Sequence, residues 1–139
     1  MQLQRWKPSV PVVDASVLLP VVADGTGAGR RARQRIRGER LDAPDLIRVE
    51  CLSAIRRQLH HGRLEPHQAE LAVGNLLALP IITYPTKSLL SRAWELRDNV
   101  TPYDACYVAL AEGLGCLLIT GDARLAEAPG ITCHIELFQ

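Results

Sequence analysis

Aromatic side chains are scarce in this sequence, at 4% against 47% apolar residues overall, so its core has to be assembled from Leu, Val, Ile and Ala. An excess of charge of one sign is lacking too. The formal net charge of +1 gives no global attraction for nucleic acid of the kind that strongly basic binding domains show, and any such attraction must be local. Cys51, Cys106, Cys116 and Cys133 form no C-x-x-C pair and sit in apolar surroundings, which argues against a disulfide framework and for reduced, buried thiols in a cytosolic protein. His60, His61, His67 and His134 lack the tight spacing of zinc ligands and read as surface residues, above all the His60-His61 pair. No apolar run approaches the about 18 residues of a membrane helix. Arg5 and Lys7 ahead of residues 10–23 imitate a signal peptide, but Asp14, Pro11 and Pro20 interrupt its apolar part. A soluble, cytoplasmic protein is expected.

What is present fits one domain with one core, at 139 residues. Residues 1–9 read as an N-terminal extension and 10–139 as the domain. The β-branched run at 10–13 predicts a buried strand ending at Asp14, with a helix from about Ser16. After the glycines at 25–29, six arginines (Arg30, Arg31, Arg33, Arg35, Arg37, Arg40) meet one acid, Glu39. With Ala32 and Ile36 as a narrow buried seam this segment reads first as a solvated helix face, closed by Gly38. Pro44 and Asp45 are expected to open a helix reaching about His61, and further helices are expected at 66–79 and 87–98. A buried helix should cover 103–114, with Thr101 as N-cap and Pro102 at its first position. Strands are expected at 81–84, 116–119 and 131–135, with a short helix through Ala126. Strands alternating with helices imply an α/β domain, a short central parallel sheet flanked by helices on both faces.

In such a sheet functional groups gather at the carboxyl ends of the strands. Asp14 ends the first strand, Asp122 follows the 116–119 strand, and Asp104 lies in the first turn of a helix entered from the same edge. Glu50 shares the side of its helix that carries Leu46, Ile47 and Ala54, so it should face inward. Singly, Asp14 and Asp122 could be helix caps, and Asp104 could serve a helix dipole. Glu50 is costlier, because an acid on an apolar face needs a partner. Together, carboxylates about 4 Å apart repel by roughly 1 to 4 kcal/mol per pair, a penalty that a cation removes. Oxygen-only ligation favours Mg²⁺ or Mn²⁺ over zinc. Such ions commonly take remaining ligands from phosphate, which points to phosphodiester chemistry.

Val-Val-Asp14-Ala-Ser16, the mid-helix Glu50, Thr101-Pro-Tyr-Asp104 ahead of an Ala-rich helix, and Thr120-Gly-Asp122 together resemble the signature of PIN-domain nucleases, in particular the VapC toxins of bacterial toxin–antitoxin pairs. The resemblance covers about residues 10–138; each motif is weak alone, and the ordered set is fairly specific. It implies an endoribonuclease in which Asp14, Glu50, Asp104 and Asp122 bind one or two Mg²⁺ or Mn²⁺ ions, with Ser16, Thr101 and Thr120 orienting carboxylates or waters. Capping explains Ser16 and Thr101 equally well. It also implies a homodimer, and inhibition by a cognate antitoxin laid across the active-site groove. Arg30, Arg31, Arg33 and Arg37 could then meet RNA or antitoxin, whereas Tyr84, Tyr103 and Trp94 are weak candidates for stacking on bases.

Three other readings compete. Gly25-Thr-Gly27-Ala-Gly29 suggests a dinucleotide fingerprint, but the third glycine of G-x-G-x-x-G would fall at Arg30. A Mg-binding phosphoacceptor receiver would also gather acids at a sheet edge. It carries adjacent acids after its first strand and a late lysine, while here Asp14 stands alone and the only lysines are Lys7 and Lys87. A catalytically inactive PIN-like binding module would keep the architecture without the metal.

Overall fold

Both valines of the first strand are fully buried. Successive strand residues point to opposite faces, so a Val12–Val13 strand (β1) with neither side chain exposed has to be covered on both sides. The computed structural model, which describes residues 10–139, builds that cover as follows; the expected extension at 1–9 lies outside the described residues. After β1 come helices α1 (Ala15–Ala23) and α2 (Gly27–Ile36), strand β2 (Leu41–Pro44), α3 (Ile47–His60), α4 (Pro66–Ala78) and β3 (Ile81–Tyr84). A 3-10 turn, Lys87–Leu89, runs into α5 (Leu90–Glu95), followed by α6 (Pro102–Leu114), β4 (Leu118–Thr120), α7 (Ala123–Glu127) and β5 (Ile135–Leu137). All strand pairs are parallel, in the order β3-β2-β1-β4-β5. The α/β expectation therefore holds.

Local chemistry explains most boundaries. Thr101 caps α6 by accepting from the Asp104 amide at 3.2 Å, Pro102 occupies the first turn, and every residue from Ala105 to Ala111 is buried. Glu65 and Gln68 form a reciprocal capping box at the start of α4. The arginine segment is helical on the expected seam, with Gly29, Ala32 and Ile36 buried, and Gly38 follows its end at φ 76°. Gly29 also explains the glycine run: a Cβ there would sit 1.8 Å from the Asp24 carbonyl oxygen, so only glycine lets α2 turn this tightly against the end of α1. A packing role, not a phosphate cradle, accounts for it.

The structure corrects the sequence reading at three places. Residues 41–44 form a strand paired along β3 and against Val12, so Pro44 ends β2 and the following helix begins only at Ile47. Its acid is hidden: Asp42 is buried and accepts from Arg40 Nε at 3.2 Å and from the Tyr84 hydroxyl at 3.1 Å. The final strand starts at Ile135, not 131, because Thr132 turns aside to donate to Glu112. The 87–98 helix is broken into the turn and the short α5.

The strand order reverses between β1 and β4, since the chain passes from β1 to β2 and β3 on one side and then returns to β4 and β5 on the other. At such a switch point the crevice beyond the carboxyl ends of the strands is open to ligands.

Candidate active site

Asp14 leaves β1 at that crevice and is 95% buried. It caps α1, accepting from the Ser16 amide at 3.1 Å and from the Ser16 hydroxyl at 2.5 Å. Its second oxygen accepts from the Thr120 hydroxyl at the end of β4, also at 2.5 Å. Ser16 in turn accepts from the Gly121 amide at 2.7 Å. A Cβ at Gly121 would lie 3.2 Å from Ser16 Oγ, so the absence of a side chain there lets the β4 turn close onto α1. Burial pushes the Asp14 carboxyl above its ordinary value; the Ser16 and Thr120 bonds oppose this, and the charge of Asp104 adds to it.

The other acids converge from separate elements. Glu50 sits in the first turn of α3 and is half-buried, its Oε1 accepting from the Tyr107 hydroxyl at 2.5 Å. Burial raises it first, the Tyr107 bond opposes, and the charges of Asp104 and Asp14 raise it further. Asp104, in the first turn of α6, is raised by burial and then by Asp122. Asp122 caps α7, accepting from the Arg124 amide at 2.9 Å. Asp14, Glu50 and Asp104 each feel the charge of at least one other acid, and Asp122 is among the charges that Asp104 feels. Arg124 is almost fully exposed beside them, its Nε 4.0 Å from Asp122.

Capping is real for Asp14, Asp122 and Thr101. It does not compete with gathering charge at the crevice, since each cap uses only one carboxylate oxygen, Oδ1 of Asp14 and of Asp122. Tyr107 was missed in the sequence. Its signal was present, because it stands three residues after Asp104 and so on the same face of α6.

Residues 12–131 match the family described as the PIN domain. The chain belongs to the PIN-domain family. Over 126 residues it is 41% identical to Ribonuclease VapC12 of Mycobacterium tuberculosis, covering 91% of this chain and 97% of that protein. Among solved structures, the fold of this PIN domain is shared with VapC20 of Mycobacterium tuberculosis, described as a Sarcin-Ricin loop cleaving toxin. The TM-score is 0.66 at 16% identity, over 88% of this chain and 96% of that one. It is shared too with VapBC2 of Rickettsia felis, solved bound to a DNA fragment from their promoter. There the TM-score is 0.65 at 9% identity, over 93% of this chain and 98% of that one.

The acidic crevice of this PIN domain fits a hard divalent ion in donor chemistry. Its charged donors are carboxylate oxygens, and they raise one another's affinity for positive charge. Among the described residues, no three His, Cys, Asp or Glu side chains converge closely enough to enclose an ion unaided. An ion held there would need waters and substrate phosphates beside one or two carboxylates, as is common for Mg²⁺.

The arginine helix of this PIN domain lies elsewhere. Arg33 donates to the carbonyls of Val21 and Asp24 at the end of α1, roughly 14 Å along that nine-residue helix from its start beside Asp14. Arg35 pairs with Glu136 and Glu39. Arg30, Arg31 and Arg37 are exposed. No helix among the described residues is long and apolar enough to cross a membrane.

Proposed function

We propose that this PIN domain is a metal-dependent endoribonuclease, the toxin of a toxin–antitoxin pair, with Asp14, Glu50, Asp104 and Asp122 as its metal-binding carboxylates. The observation that carries the reading is that burial, reinforced by mutual repulsion, works against ionisation of Asp14, Glu50 and Asp104 near the β1–β4 switch point, a penalty that a cation would relieve. High identity to a protein named as a ribonuclease supplies the substrate class. Mg²⁺ or Mn²⁺, when bound, supplies activation of a water for in-line attack and stabilisation of the leaving oxygen.

The chain's own residues prepare that chemistry. Ser16 and Thr120 hold Asp14 from both sides, Thr101 fixes the start of the helix that carries Asp104, and Thr120 also accepts from the Asp122 amide at 3.1 Å. Arg124, exposed beside Asp122, would offer a charge to an RNA phosphate in this reading. Arg30, Arg31, Arg33 and Arg37, grouped at the far end of α1, are better placed for a partner protein than for the phosphate being cut. An apolar groove of about 640 Å³ between α3 and α4, lined by Val49, Leu52, Ile55, Leu59, Ala69 and Val73, offers an antitoxin a docking surface. A homodimer is part of the same reading and is tested by light scattering.

The deciding experiment incubates purified protein with total RNA and Mn²⁺, with and without EDTA, beside Asp104→Asn. Cleavage should vanish on chelation and in the variant; cleavage that survives both removes the proposal.

A further inference from the structure

Glu50 is held differently from Asp14 and Asp122, the two capping acids of the crevice. Asp14 has donors from its own helix start and from β4, and Asp122 has the Arg124 amide. Glu50 has neither a cap nor an ion pair, and its longer side chain has one more rotatable bond to order than aspartate. Among the described residues, the Tyr107 hydroxyl is the one hydrogen-bond donor to its carboxylate.

Tyr107 is only 1% exposed, and is the largest fully buried side chain among the described residues. A phenyl ring would fill that part of the core equally well. The hydroxyl adds a desolvation penalty that is met only by its bond to Glu50. Three residues before it on the same helix, Asp104 enters the crevice, so one face of α6 supplies both an acid and the donor that restrains an acid of α3.

We propose that Tyr107 is a positioning residue for Glu50, clamping one carboxylate oxygen so that the other is presented to a metal ion in the acidic crevice. This rests on the metal-site reading above. Partners of metal-ligating side chains typically affect metal affinity or activity by roughly 10- to 100-fold, which sets the expected size.

Four proteins are compared, the wild type, Tyr107→Phe, Glu50→Gln and the double variant, by calorimetric titration with Mn²⁺ and by kcat and KM on an RNA oligonucleotide. Tyr107→Phe should bind Mn²⁺ about 10- to 100-fold more weakly and lose kcat, with KM for RNA unchanged. In the Glu50→Gln background the same substitution should change nothing further. An equal loss in both backgrounds, as general misfolding would give, overturns the proposal, and so does wild-type behaviour of Tyr107→Phe while Glu50→Gln is impaired. A wild type that neither binds Mn²⁺ nor cleaves RNA removes the metal-site reading and the clamp with it.

Discussion

Burial works against ionisation at Asp14, Glu50 and Asp104 alike, and their mutual repulsion adds to it. Their folded-state values lie above those of the unfolded chain, so without metal the folded protein binds more protons over the window between the ordinary carboxylate range and the raised values. Stability contributed by these groups therefore increases as pH falls into that window. Glu112 acts in the opposite sense: Arg92 holds it down at about 2, so its contribution is present above its ordinary value and is lost as pH falls toward 2. Asp104→Asn should accordingly melt above the wild type in EDTA at about pH 7, by an amount corresponding to about 1 kcal/mol of relieved repulsion. The gap should narrow toward about pH 5, read by thermal denaturation at both values; a gap independent of pH would contradict the raised carboxyl. With Mn²⁺ present, Asp14→Asn should reduce RNA cleavage by at least about 100-fold while leaving the circular dichroism spectrum unchanged.

At the scale of single elements, α6 joins the core to the crevice. Its buried run from Ala105 to Ala111 anchors the helix, and Thr101 fixes the first turn that carries Asp104. Thr101→Ala should cost about 1 kcal/mol in denaturant unfolding and weaken Mn²⁺ binding, while Thr101→Ser should restore both. This helix was readable from the sequence because Thr-Pro followed by an unbroken apolar stretch has few other solutions. Asp14 was readable as the residue that directly follows an apolar strand, and Asp122 as the residue just past the Thr120-Gly121 turn after another. β2 was not, since Leu41-Asp42-Ala43-Pro44 carries an acid and a proline in four residues. Burial of that acid is made tolerable by Arg40 two residues before it and by the tertiary partner Tyr84. Nor did the sequence reveal that Tyr107 reaches Glu50, because that contact joins residues 57 apart.

Taken whole, the molecule is a five-stranded parallel sheet whose switch point lies between the paired strands β1 and β4, and a divalent ion in the crevice beyond their carboxyl ends would link helices from separate parts of the chain. Saturation with Mn²⁺ at about a hundred times its dissociation constant should then stabilise the fold by about 2.7 kcal/mol, seen as a rise in melting temperature that EDTA reverses. A melting temperature indifferent to Mn²⁺ would count against the ion.

The bond from Thr120 to Asp14 spans 106 positions of the chain. On a ribosome, Asp14 is made 106 residues before Thr120, so its surroundings stay incomplete until β4 follows. The order of manufacture therefore withholds one wall of the crevice until β4 has been made.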